Sequence, residues 1–236
     1  HVNLRNPATF AGNNLNIPPY NGENRPVKFV VGGGHTSTNL ETSSASDNVT
    51  STTFDYLALN FPVGKFGVAF GIIPYSAVGY RVESTGIIND EEQPLNRYRG
   101  EGGLNRVFLG VGYQLTENLS FGADASYNFG TVTNNAIEYL YDDEGTLINY
   151  QSRETNESEL SGLSFSLGLW YQTMITQKLQ LQASATYGLG GELTSRNSRT
   201  FATIAVNPQT GGEAVINTIE ADLEANGLLK TTLNLP

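Results

Sequence analysis

"NLSFGADASYNFG", residues 118–130, decides the fold. Leu119, Phe121, Ala123, Ala125, Tyr127 and Phe129 fall on one parity, and Ser120, Gly122, Asp124, Ser126 and Asn128 fall on the other. In an extended strand alternate side chains point to opposite faces, so this segment has one apolar face and one polar face. The same period recurs outward from it. In "RVFLGVGYQL" (106–115), Val107, Leu109, Val111, Tyr113 and Leu115 oppose Arg106, Phe108, Gly110, Gly112 and Gln114. In "LSFSLGLWYQ" (163–172), Leu163, Phe165, Leu167, Leu169 and Tyr171 oppose Ser164, Ser166, Gly168, Trp170 and Gln172. "LQLQASATYGLG" (179–190) and Phe66, Val68, Phe70, Ile72 repeat it. Strand periodicity sustained over so many segments predicts an all-β protein. A weak helix is conceivable only in the first 20 residues.

The connections divide into two kinds. Gly64-Lys65, "TEN" (116–118) and "ITQ" (175–177) are tight, whereas 74–103, 130–161 and 190–216 read as long polar excursions. Short turns at one end and long loops at the other are the pattern of outer-membrane barrels, with the turns in the periplasm and the loops outside. The aromatics agree with it. Phe66, Tyr113, Phe121 and Tyr171 fall near one rim, and Tyr127, Phe129, Phe165 and Tyr187 near the other. Eight steps of roughly 3.3 Å separate Phe121 from Phe129, which a tilt near 40° shortens to about 20 Å, the height of a thin bilayer. The apolar face is therefore expected to meet lipid between two aromatic girdles, and the polar face to line a lumen. The expected fold is a transmembrane antiparallel up-and-down β-barrel in the outer membrane of a Gram-negative cell. A soluble β-sandwich acting as a binding module is the competing reading.

Composition narrows the function. Zero Cys among 236 residues excludes a disulfide scaffold, a zinc ribbon and a thiol nucleophile. A net charge of −10, with no Lys/Arg cluster, argues against a nucleic-acid partner. No run of about 18 apolar residues exists to form a spanning helix. Histidine occurs only at His1 and His35. There is no G-x-S-x-G elbow, "GGGH" lacks the context of a phosphate loop, and no metal-ligand spacing appears. Neither enzymatic activity nor a cofactor is expected. Asp55, Arg106 and Asp124 fall at membrane depth. Arg106, Asp124 and Trp170 share the polar parity and are expected in the lumen, because an Arg facing lipid at mid-depth costs about 2–4 kcal/mol. Asp90, Glu91, Glu92, Asp142, Asp143 and Glu144 read as a solvated loop face, and "DDEG" (142–145) as a turn in which Gly145 takes positive φ.

About eight strands are expected: 27–41, 50–63, 66–73 continuing into 77–85, 104–116, 119–141, 147–173, 178–206 and 216–235. His1 opens directly into "HVNLRNPATF", which reads as a start after signal removal or as a piece of a longer chain. Pro236 stands where barrels commonly place a terminal aromatic, so a barrel incomplete at its C-terminal end is expected. Residues 1–25 are expected as an N-terminal luminal segment and 26–236 as the barrel.

"RNPATFAG" (5–12) resembles the Asn-Pro-Ala segment near the mature N-terminus of the FadL/OmpP1 family of outer-membrane transporters. "GIIPYSAVGY" (71–80), "GEGGLNRVFLGVGYQL" (100–115) and "LSFGADASYNFGT" (119–131) are similar to FadL-like barrels of the Bacteroidetes. The resemblance implies a 14-stranded, porin-like barrel, with Asn6, Pro7 and Ala8 in a luminal hatch. It also implies passive transport of hydrophobic small molecules, with such a ligand or a detergent as partner beside the lipid bilayer and lipopolysaccharide. The chain departs from the pattern in having about half the strands and little plug before residue 5. The alternative is a non-transporting barrel subunit of a larger outer-membrane secretion or surface complex, with other outer-membrane proteins as partners.

Overall fold

The computed structural model describes residues 3–12, 20–41, 46–207, 212–220 and 225–230. Ten strands form one sheet, and every pairing in it is antiparallel. They are β1 (Lys28–Glu41), β2 (Ser46–Val63), β3 (Phe66–Ile88), β4 (Glu91–Gln114), β5 (Leu119–Glu138), β6 (Gln151–Thr176), β7 (Leu179–Leu189), β8 (Glu192–Val206), β9 (Glu213–Glu220) and β10 (Ala225–Lys230). β7 and β8 lie in line along β6, paired with Phe165–Thr176 and Gln151–Ser161 respectively. β9 and β10 likewise divide β8 between them. The sheet is thus a meander of eight staves, the number expected from the alternation.

Two expectations change. Among the described residues the sheet is not closed into a barrel: β1 pairs only with β2, and β7 only with β6. The stretch 86–103, expected as loop, is mostly strand, while the excursions' parts expected as strand, 77–85, 130–141, 147–161 and 190–206, are largely so. β3 and β4, of 23 and 24 residues, stay paired up to a two-residue turn at Asn89-Asp90, both with positive φ. β6 has 26 residues, about 85 Å at roughly 3.3 Å per residue. Among the described residues 139–150 remains a loop of the expected kind; its Asp142–Gly145 turn has Gly145 at φ 75° and is closed by the Gly145 N–H donating to Asp142 O at 3.0 Å. The short turns stand as expected at 64–65, 115–118 and 177–178. His1 and the end at 231–236, Pro236 included, lie outside the described residues.

One five-residue 3-10 turn, Pro7–Ala11, is buried against β2, β3, β4, β5 and β6 together, so the sheet curls around it. That contact defines an inner face, the polar parity of the sequence. The opposite face keeps its apolar side chains uncovered: Leu109 is 57% exposed, Leu163 55%, Phe165 47% and Leu181 44%. The burial order is the reverse of a water-soluble sheet, in which aliphatics are the buried residues.

The uncovered apolar band ends at one register row. Ile72, Val107, Tyr127 and Leu163 lie side by side on the outer face, and one step farther from the turns lie Pro74, Asn105, Phe129, Ser161 and Thr194. Beyond that row the outer parity turns polar, with Arg81 and Glu83 on β3, Arg97, Arg99 and Glu101 on β4, and Glu157 and Glu159 on β6. On β3 and β4 the apolar residues there change to the inner parity, with Val78, Tyr80, Val82 and Leu104, whereas Ile137 on β5 and Ala202 and Ile204 on β8 keep the outer parity. The strands continue, and on β3 and β4 their polarity inverts.

Candidate functional site: a seated segment and the cavity above it

The segment folds locally before it docks. Asn6 caps it, its Oδ1 accepting from the Ala8 N–H at 3.0 Å, and Pro7 occupies the first turn, where no N–H is required. Gly12, at φ 94°, ends it with its N–H on Thr9 O at 3.0 Å. Phe10 projects from the turn, is 1% exposed, and stacks on Phe108 with centroids 6.2 Å apart. Ala58 and Ala69 complete that small core.

The seat is made by removing side chains. Gly67, Gly112, Gly122 and Gly168 lie on the inner parity beneath the segment, and a Cβ at any of them would collide with Phe10, Ala11, Pro7 or Asn6. The glycines therefore bring backbone against backbone. Polar side chains then pin it. Asn60 Nδ2 donates to Phe10 O at 3.2 Å, and Asn6 Nδ2 to Leu169 O at 3.0 Å. Gln114 Oε1 accepts from the Tyr20 N–H at 2.9 Å and from Arg25 Nη2 at 3.3 Å, while Arg25 Nη1 reaches Ala11 O. Sequence reading placed Asn6, Pro7 and Ala8 in a luminal segment but missed why glycine recurs on the facing parity. The signal was their shared parity at 110, 112, 122 and 168.

On the side of the seat away from the turns lies a cavity of about 780 Å³, walled by Tyr56, Tyr75, Arg106, Asp124, Ser126 and Ser166. Arg106 and Asp124 both face it, but they make no ion pair with each other among the described residues. Arg106 Nε donates to Asn128 Oδ1 at 2.9 Å, and its guanidinium lies 4.2 Å from the centroid of the Tyr75 ring. Asp124 accepts from Ser126 Oγ at 3.1 Å and from Ser166 Oγ. Each of the two charges is met instead by its own neutral partners. Trp170 is buried on the inner parity, with its Nε1 lacking a hydrogen-bond partner. His35 stays at the surface, bonded to Thr52 Oγ1 at 2.9 Å. Asp55 lies in β2 and accepts from Thr53 Oγ1 at 3.0 Å.

The aromatics expected as two girdles all lie on the outer face, but not at two levels. Phe66, Tyr113 and Phe121 are neighbours in one register row, with the Phe66 and Tyr113 rings 4.5 Å apart, and Tyr171 lies opposite Leu119 one row step nearer the turns. Tyr127 stacks on the half-buried Phe129 at 5.8 Å where the apolar band ends, whereas Phe165, in the row of Leu109, and Tyr187, in the row of Val111, are exposed inside the band and not at its border, where the sequence reading put them.

Beyond the apolar band, several charges are paired. Glu83 accepts from Arg97 at 2.7 Å and Arg81 at 3.1 Å, and these two guanidinium bonds lower its pKa from the ordinary 4.5. Arg97 and Arg153 share Glu213 at 3.7 and 3.2 Å. Arg199, 2.8 Å away, likewise lowers the pKa of Glu154. A second small core of Ile137, Tyr139, Ala202 and Ile204 lies among them, and burial raises the Tyr139 pKa above the usual phenol value.

A family model described as BamG matches residues 1–236. No curated protein and no solved structure matches the chain. The match overturns the FadL/OmpP1 resemblance, and with it the 14-stranded transporter that the resemblance implied. Glycine and aromatic alternation, which carried the likeness, is a property of lipid-facing sheets in general.

Proposed function

The chain belongs to the BamG family, and on that premise we propose that it is a non-transporting subunit of an outer-membrane assembly complex, the BAM complex. In this reading residues 26–236 form the membrane-spanning wall, and residues 1–25 form a fixed internal segment. The single observation that carries it is the outer face: an uncovered apolar band, bordered by aromatics, ends at one row across five strands. Lipid accepts such a face, and water does not. The segment seated at Gly112 and Gly122 supports a scaffold over a conduit, since it fills the end nearest the turns.

Among the described residues β1 and β7 each have one unpaired edge, which supports an interaction role. An unpaired strand edge in hydrocarbon leaves several kcal/mol per backbone group unsatisfied, so each edge needs a strand beside it. The paired strands beyond the band would carry contacts outside the bilayer. From Pro74 to Ile88 they run about 46 Å at roughly 3.3 Å per residue. The protein acts here by binding and positioning, without covalent chemistry.

Affinity purification of the tagged chain from native outer membranes in mild detergent tests the proposal. Co-elution with other outer-membrane barrel proteins in fixed stoichiometry is expected. Recovery as a lone species across several mild detergents would contradict it.

A further inference from the structure

We infer that the outer face carries a binding groove for a phosphorylated glycolipid of the outer leaflet, centred on Arg196 and Glu159. The inference rests on the membrane reading above. The groove, of about 550 Å³, lies where the apolar band stops. Two register rows build it: Phe129, Ser161 and Thr194, and above them Thr131, Glu159 and Arg196. The stacked Tyr127 and Phe129 rings form its shelf. The recess arises beside the break between β7 and β8, where a Cβ on Gly191 would strike Leu163 O and one on Gly162 would strike Glu192 O.

The charges single this place out. Arg81, Arg97, Arg99, Arg153 and Arg199, on the same projecting part, are all in ion pairs. Arg196 is exposed and, among the described residues, has no such partner, although Glu159 stands directly opposite it in register. Both charges are left to a ligand. A guanidinium suits a phosphate, to which it donates charge-assisted bonds in a fork. A carboxylate beside three hydroxyl side chains suits sugar hydroxyls, and an aromatic shelf suits the apolar face of a sugar ring. Below, Leu163 and Phe165 are uncovered for acyl chains. A glycerophospholipid satisfies the first and last requirements but not the middle one. Lipid A, a phosphorylated disaccharide carrying acyl chains, satisfies all three.

Native mass spectrometry of the detergent-solubilised chain, with bisphosphorylated lipid A, its dephosphorylated form and phosphatidylglycerol in parallel, tests the groove. Bisphosphorylated lipid A should be retained best. Arg196→Gln should weaken it about tenfold, the worth of one charge-assisted pair, and abolish its advantage over the dephosphorylated form. Glu159→Gln should weaken both forms alike, and Arg99→Gln, outside the groove, should change neither. Equal retention of phosphatidylglycerol, or an Arg196→Gln variant that binds like the parent, overturns the inference while leaving the membrane reading intact. A chain that stays in the aqueous phase without detergent overturns the membrane reading itself.

Discussion

Asn60 Nδ2 donates to the carbonyl of Phe10 across 3.2 Å, tying the C-terminal end of β2 to a segment fifty residues earlier in the chain. The bond works only because Gly67, Gly112 and Gly122 let the segment's backbone descend to the sheet. The glycines and the capped turn form one device, in which the strands supply absence and the segment supplies shape.

Gly122→Leu should therefore unseat the segment. The new side chain meets Pro7 and Ala8 backbone, which cannot swing aside as a flexible side chain would. Overpacking of this kind costs about 1–3 kcal/mol. The expected outcome is a lower midpoint in urea unfolding, together with proteolytic cleavage near Phe10 that the parent resists. Asn6→Ala, which removes the cap, should cost about 0.5–2 kcal/mol in the same assay.

The depth of the outer face can be read by charge insertion. Leu109→Arg, in the middle of the uncovered band, should destabilise the protein in lipid vesicles by about 2–4 kcal/mol. Thr133→Arg, on the same parity beyond the Phe129 row, should stay within about 0.5 kcal/mol of the parent. Equal small effects at both positions would place the whole face in water.

Acid should loosen the projecting strands before the rest. Glu83 and Glu154 have lowered pKa values in the folded protein. Their contribution is fully present above the unfolded value near 4.5 and is lost as pH falls through the lowered folded values. Both pairs are solvent-screened, so each contributes no more than about 1 kcal/mol. Hydrogen exchange at amides of β3 and β4 beyond Pro74 should accelerate as pH falls below 4.5, and Arg97→Gln should flatten the dependence.

Much of the fold was legible because strands with one apolar and one polar face state their period plainly. Leu109, Leu163 and Leu181 were assigned to an uncovered face from alternation and turn asymmetry, and they lie there. Residues 86–103 were read as loop because beyond Pro74 the polarity of β3 and β4 inverts, whereas strand was expected at 77–85, 130–141 and 147–161 and is found over most of them. Around Arg81, Glu83, Arg97 and Arg99 the outer parity is charged, and the apolar partners Val78, Tyr80 and Val82 sit on the other. Average polarity hid a period of two that was still present. The Asn89-Asp90 turn, flanked by β-branched Ile87 and Ile88, was a hairpin signal in plain sight. Closure was not legible, since alternation says which way a side chain points and nothing about what pairs with an edge. The seat was half legible. Asn6, Pro7 and Ala8 were found through the resemblance, whereas the depth of their seat depends on glycines brought together from β3, β4, β5 and β6.

The most direct measurement is quenching of tryptophan fluorescence by brominated lipid in reconstituted vesicles. Trp170, the single native tryptophan, is buried on the inner face, and Leu109 is uncovered on the outer one. Leu109→Trp in a Trp170→Phe background should be strongly quenched, while Trp170 of the parent chain should keep most of its emission. Unquenched emission at position 109, or quenching at Trp170 alone, would contradict a lipid-facing outer wall.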